Sequence, residues 1–538
     1  MAHQASSTTS ARHWRRPACF AMALAGILFA NTSQGAPGDV VRDLAGRVGP
    51  IIGSALACPD IAQGRIQSIA DKFRAVIRQT ASSDAERDDL ARTFDRYVTD
   101  GRSAIGAGRI DCRLAERQLT ELELSISGPP TAPASTGPSL SGVIAPSPAA
   151  AATAPMVSIP QVPAMNVRGM TANEIRFGIV APFSGAAREL GRQMKLGIDT
   201  AFNRANEAGG VDGRMLKLIA ADDGYEPGRT LDAMKQLYDK DQVFGYIGNV
   251  GTPTAAVALP FALEHRTLFF GAFTGANLLR NDPPDRYVFN YRASYAEETD
   301  AVVRYLLKIR RIPPKQIAVF AQQDAYGDAG FAGVAKAFRS MGLNDAAILR
   351  LGYKRNTVDV DDAVNLLKVQ KTAVKAVVMV ATYRAAAKFI EKTRDLFPGI
   401  MYTNVSFVGS TELADELMLL GPRFASGVIV TQVVPAVGGY SSSVMEYKNA
   451  LAKYFPGEAP DYVSLEGYIA ANVLIQAIKR AGPQVDTERL IDTLENIRNL
   501  DLGLGTQLGY GKGEHQASHK IWGTAIDDNG KYQSIELE

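Results

Sequence analysis

From Glu174 onward, short apolar runs alternate with amphipathic helical patterns, and the runs end in loops rich in glycine and small hydroxyl residues. Strand candidates are Ile175–Val180, Leu216–Ala221, Val243–Ile247 and Leu268–Phe270. Between them Met194, Ile198, Ala201 and Phe202 define one helix face, and Leu231, Met234 and Leu237 another. Short buried strands separated by helices make a parallel sheet wrapped by helices, the α/β class. A second series follows Tyr291, with strand candidates Ile317–Phe320, Ala347–Leu351, Ala376–Val380 and Ser406–Val408. The stretch is too long for one core, so two lobes are expected.

The preceding segments differ in kind. Arg12, Arg15 and Arg16 lead into an apolar run, Ala18–Ala30, that closes on Gly35 and Ala36, which reads as a secretory signal peptide over residues 1–35. The run is shorter than the ~20 residues of a membrane-spanning helix, and no later segment is long and apolar enough to span, so no stable membrane insertion of the mature chain is expected. The periplasm is the expected compartment. Residues 39–128 show helical spacing, with Ile66, Ile69, Ala70, Phe73, Val76 and Ile77 on one face, then Leu90, Phe94 and Tyr97 on the face of a second helix that starts at Ser83 and Glu86. Cys19 leaves with the signal; Cys58 and Cys112 then form an even pair in an oxidising compartment, and a disulfide is their expected state. Residues 129–170 shift to Pro, Ala, Ser and Thr with hardly a charge, the composition of an extended linker rather than a core. Residues 171–538 hold the two lobes.

In open α/β sheets ligands sit beyond the carboxyl ends of the strands. The strand ending at Ile247 runs into Gly248, Asn249, Val250, Gly251, Thr252, Pro253 and a helix, with Thr252 suited to the N-cap and Pro253 to the first helical position. Free N–H groups there favour a carboxylate or phosphate; equally, Thr252 can simply cap its own helix. The neighbouring strand, ending at Phe270, leads to Phe273, Thr274 and Gly275, within reach of the same anion.

The stretch EIRFGIVAPFSGAARELGRQMKLGIDTAFNRANEAGGVDGRMLKLIAADDGYEP, followed by IGNVGTPTA, GAFTGANLLR, QQDAYGDAGF and FVGSTELADEL, resembles the periplasmic binding proteins of the branched-chain amino acid transporter class over residues 174–538. The resemblance implies a two-lobed type I periplasmic binding fold with a three-strand hinge, closure on a small-molecule solute, and transient delivery to a membrane ABC permease. It places the carboxylate contact on Thr252, flanked by Gly251 and the Phe273-Thr274-Gly275 loop, and second-lobe contacts on Tyr326 and Tyr383. Leu190 falls near a first-lobe aromatic of some members. Amino acid binders hold the α-ammonium with a carboxylate in the loop that here reads Gly409, Ser410, Thr411, Glu412. Thr411 takes the matching position and Glu412 comes one residue late. If Glu412 points away, carboxylic acids, amides or ureas become the expected solutes.

Other classes find little support. The 58 basic and 56 acidic residues form no basic stripe, so nucleic acid is not an expected partner. His515 and His519, four apart, suit one helix face but have no obvious third metal ligand, and two solvated histidines are the plainer reading. Gly503, Gly505 and Gly509 lack the spacing of a dinucleotide loop and read as a turn. Asp222-Asp223 reads as a strand-ending turn. No nucleophile motif is found, so no catalytic residues, metal or cofactor are expected. The extra helical region and tether leave room for a second reading, an extracytoplasmic sensor that signals through a protein partner.

Overall fold

The computed structural model describes residues 37–81, 83–106, Cys112, Ala115, Glu116, Gln118, Leu119, Leu122 and 167–537. The expected signal peptide and nearly all of the expected linker lie outside these residues. The chain divides into two compact units, Met1–Met156 and Val157–Glu538.

In the first unit, helices α1 (Pro37–Leu56), α2 (Gln63–Thr80) and α3 (Asp84–Gly106) enclose a core that includes Ile66, Ile69, Phe73, Ile77, Leu90 and Phe94. Ser83 Oγ accepts from the Glu86 N–H at 3.2 Å, starting α3 where the sequence predicts. Helices α1 and α3 approach so closely that a Cβ on Gly53 would lie 2.0 Å from the Val98 carbonyl. Cys58 and Cys112 form the expected disulfide, Cα atoms 5.5 Å apart.

The second unit begins with β1 (Glu174–Ala181), α4 (Arg188–Glu207), β2 (Met215–Asp222), α5 (Pro227–Asp239), β3 (Gly245–Ile247), α6 (Thr252–Glu264), β4 (Leu268–Phe270) and β5 (Val288–Phe289). These strands form a parallel sheet ordered β2-β1-β3-β4-β5. The second lobe holds α7 (Tyr295–Arg304), β6 (Ile317–Gln322), α8 (Ala325–Ser340), β7 (Leu349–Tyr353), α9 (Asp361–Lys368), β8 (Ala376–Val380), α10 (Tyr383–Arg394), β9 (Met401–Asn404), α11 (Ser410–Leu420) and β10 (Ile429–Gln432). The chain then returns to the first lobe through α12 (Ser442–Tyr454), α13 (Tyr462–Ala481) and α14 (Thr487–Leu494), where Arg204 of α4 donates to the Tyr468 hydroxyl of α13 at 3.0 Å. The small hairpin β11 (Leu500–Asp501) and β12 (Gln507–Leu508) follows, its turn containing Gly503 and Gly505 at positive φ. Finally β13 (Trp522–Ile526) and β14 (Tyr532–Ile535) complete a second sheet ordered β14-β13-β10-β9-β8-β6-β7, antiparallel only where β13 pairs with β10 and β14.

Three segments therefore cross between the lobes, near Tyr291, Val433 and Ser518. They are tied together: the Ser518 N–H donates to the Tyr291 carbonyl and the Tyr291 hydroxyl donates to the Val433 carbonyl, both at 3.0 Å. This is the expected three-strand hinge.

One strand expectation fails. Ser406–Val408 is a single 3-10 turn, and the strand is Met401–Asn404, in register with Ala376–Met379 of β8. The apolar Phe407 and Val408 looked like strand because they are buried; both lie outside the sheet, and Phe407 is buried between the lobes against Phe273 and Tyr225. Strand β7 likewise starts two residues later than expected, after a turn at Asp345–Ala347.

Candidate solute-binding cleft

Thr252 does not cap its helix. Gly251, at φ 109°, takes the cap position and Thr252 is the first helical residue. A Cβ on Gly251 would sit 2.4 Å from the Tyr225 ring, so the close approach as well as the positive φ requires glycine. Released from capping, the Thr252 hydroxyl pairs with the Thr274 hydroxyl at 2.7 Å. The two loops are zipped by the Gly251 N–H donating to the Phe273 carbonyl at 3.2 Å and the Phe273 N–H donating to the Asn249 backbone carbonyl at 2.8 Å. Thr252 and Thr274 are both fully buried. Gly275 lets α7 approach: its carbonyl accepts from the Tyr295 N–H at 2.8 Å. Burial pushes the Tyr295 hydroxyl's pKa up, opposed by Arg292 and by the Thr274 and Thr252 hydroxyls beside it.

The second lobe answers with aromatic rings. Phe407 stacks on Phe273 with centroids 5.0 Å apart and lies 4.6 Å from Tyr326 and 6.2 Å from Tyr225. Tyr326 also packs on Tyr295 at 5.4 Å. Its backbone N–H is held by Asp324, the cap of α8, while its buried hydroxyl has no hydrogen-bond partner. Tyr383, at the start of α10, is buried and donates to the Ala186 carbonyl of the first lobe at 2.7 Å. Thr411 and Glu412 lie in the first turn of α11. Glu412 turns inward: its Oε2 is buried, beside Gly409, which in turn abuts Leu190 and Tyr383. The structure thus brings Thr252, Gly251, Phe273, Thr274, Gly275 and Tyr326 into one cluster, with Tyr383, Leu190, Thr411 and Glu412 in a second group along the same inter-lobe face.

The lobes meet through further polar contacts. Arg355 bonds Glu226 at 2.9 Å and Asp324 at 3.0 Å, Asn356 donates to Glu226 at 2.6 Å, and Gln322 donates to the Tyr225 hydroxyl at 3.3 Å. Behind the cleft sits a buried ionic cluster. Arg292 pairs with Glu298 at 3.2 Å and faces Glu466 at 3.7 Å, while Glu298 also accepts from the Ser406 N–H at 2.8 Å and the Thr431 hydroxyl. Burial works against the Arg292 charge, but Glu466 and Glu298 more than offset it. Burial pushes Glu466 up to about 7, with Arg292 pulling the other way.

Sequence reasoning missed Tyr225, Tyr295, Phe407 and Arg292. Tyr295 had a signal, because Ser294 and Glu297 form a complete capping box just around it. Asp222 and Asp223 close a turn as expected: Asp222 accepts from the Phe183 and Gly224 N–H groups, Asp223 from Tyr225 N–H and the Thr230 hydroxyl. The histidine expectation is corrected. His515 and His519 lie on the extended third crossing rather than a helix, and His515 is buried, stacked on Phe289 with centroids 3.9 Å apart. His519 pairs with Glu297 at 2.6 Å. Among the described residues no group of three His, Cys, Asp or Glu is placed to hold a metal ion, and no helix is long and apolar enough to cross a membrane.

Residues 174–531 match the periplasmic binding protein family. The chain belongs to that family. A Leu/Ile/Val-binding protein homolog 3 of Brucella melitensis is 27% identical over 336 residues, 62% of this chain and 86% of the relative. Among solved structures, a possible leucine/isoleucine/valine-binding protein from Rhodopirellula baltica SH 1 is 39% identical with TM-score 0.65, covering 70% of this chain and 98% of its own. A fatty acid ABC transporter substrate-binding protein from Thermomonospora curvata, at 19% identity and TM-score 0.62 over 69% of this chain and 94% of its own, shares the fold. This periplasmic binding protein thus has the type I two-lobed fold, and its relatives are solute-binding proteins rather than enzymes.

Proposed function

We propose that this chain is the periplasmic substrate-binding component of an ABC transporter, closing its two lobes on a small polar or carboxylate-bearing solute and passing it to a membrane permease. The observation that carries this reading is the paired Thr252 and Thr274 hydroxyls, buried at a helix start and faced by Tyr326 and Phe407 of the opposite lobe. In this reading Thr252, Thr274 and the α6 N-terminus hold the carboxylate, Gly251 and Gly275 allow the backbone to approach, and Phe273, Tyr326 and Tyr383 enclose the body of the solute. Two or three charge-assisted hydrogen bonds at about 1.5–3 kcal/mol each approach the ~8 kcal/mol of micromolar binding once closure excludes water.

The test is a thermal-shift screen of the mature chain against amino acids, small carboxylic acids, amides and ureas. A bound solute at 100 times its dissociation constant adds about 2.7 kcal/mol. A shift confined to one chemical class supports solute binding, whereas none across the panel, from folded protein carrying no retained solute, contradicts it.

A second reading, an extracytoplasmic sensor, is favoured by one feature. The disulfide-linked helical unit has its own core, which a solute shuttle does not need. Deleting residues 39–165 then leaves solute affinity intact and removes binding to a protein partner; impaired uptake through a permease instead returns the weight to transport.

A further inference from the structure

Arg280 ends the short turn Asn277–Leu279 behind the Thr274 loop, and its guanidinium reaches four acceptors. Nη1 donates to the Ala276 carbonyl at 2.9 Å and the Thr274 carbonyl at 3.4 Å, both in the loop that carries the cleft hydroxyl. Nη2 donates to the Arg292 carbonyl beside the first crossing at 2.9 Å, and Nε to Gln516 Oε1 on the third at 2.6 Å. Gln516 is only 4% exposed, and its amide nitrogen donates onward to Glu297 of α7 at 3.0 Å. Two side chains therefore lead from the Thr274 backbone to the second lobe.

All four acceptors of Arg280 are uncharged, and burial, together with the nearby Arg292 charge, pulls its pKa down to about 10. What the guanidinium supplies there is shape. A planar fork reaches several acceptors at fixed angles, which a single ammonium cannot do. Tight packing does not hold the fork in place, because Arg280, Glu297 and Gln516 line a cavity of about 600 Å³ beside the hinge. Its hydrogen bonds must position it. The loop in front is a small closed ring, with the Ala276 N–H donating to Thr274 Oγ at 3.2 Å. A shift of the Ala276 carbonyl thus moves the hydroxyl that pairs with Thr252.

We propose that Arg280 and Gln516 form a strut that fixes the Thr274 hydroxyl relative to the hinge crossings, so that hinge motion and the shape of the solute-facing loop change together. This rests on the solute-binding reading and adds to it how the site is tied to closure. Both are positioning residues, acting through the backbone of Thr274 and Ala276.

The experiment is hydrogen–deuterium exchange of the full mature chain without solute, comparing wild type, Gln516→Met and Arg280→Lys. Gln516→Met changes a side chain outside the Thr274 loop, and Arg280→Lys keeps the charge while losing the fork. The strut predicts that both variants speed exchange at residues 273–279 at least tenfold, while β1 and β8, in the cores of the two lobes, exchange at the wild-type rate. Calorimetric titration with L-leucine, or with the screened compound of largest thermal shift if L-leucine is silent, should show at least fivefold weaker binding in both variants. Faster exchange confined to residues 514–519 in Gln516→Met makes Gln516 a local filler and overturns the strut, as does an affinity unchanged in both variants. A wild type that binds no compound of the screen removes the solute-binding reading, and the proposal with it, whatever the exchange shows.

Discussion

The cleft and the hinge of the second unit join the same two lobes by different chemistry. Across the cleft the contacts are aromatic rings, single hydrogen bonds and a part-exposed ion pair, with Phe407 on Phe273, the Tyr383 hydroxyl on the Ala186 carbonyl and Arg355 on Glu226. Beside the hinge, Arg292, Glu298 and Glu466 form a fully buried ionic cluster. The rings and hydroxyls can be rewetted at modest cost, which suits faces that separate. A buried charge stripped of its partner is costly, which suits segments that stay together.

The largest expected effect comes from breaking the hinge. Arg292→Met leaves Glu298 and Glu466 buried without their cation and should cost about 3–5 kcal/mol in a urea titration. A loss under 1 kcal/mol would place the hinge on the same footing as the cleft.

The pH dependence sharpens the contrast. The Glu466 carboxyl, at about 7 in the fold against an ordinary 4.5, binds its proton more tightly folded than unfolded. Its contribution therefore favours the fold below pH 4.5 and diminishes as pH rises through 7, by on the order of 3 kcal/mol. Glu466→Gln should flatten the unfolding midpoint across that window, whereas an unchanged slope would assign the titration elsewhere.

The smallest effect belongs to the cleft. Tyr383→Phe removes one inter-lobe hydrogen bond, about 0.5–1.5 kcal/mol. It should leave the urea midpoint nearly unchanged while enlarging the radius of gyration of the solute-free protein in small-angle scattering. A large stability loss without expansion would make Tyr383 a core residue rather than a closure contact.

The parallel sheets and two lobes were legible because strands buried on both faces are uniformly apolar, as in Ala376–Val380. The meeting of the Thr252 and Thr274 loops was legible because strand-end loops of neighbouring parallel strands lie side by side. Phe407 misled for a related reason, since burial between lobes and burial within a sheet leave the same apolar signature. Arg292 was not legible at all. It is defined by partners 6 and 174 residues away, where it meets Glu298 and Glu466, and no local pattern encodes such a meeting.

The most direct test of the account is calorimetric titration of wild-type protein and Thr252→Val with the solute that gives the largest thermal shift. Solute binding at the paired hydroxyls predicts one site per chain in the wild type and at least tenfold weaker binding in the variant. Unchanged affinity in a folded Thr252→Val protein would contradict it.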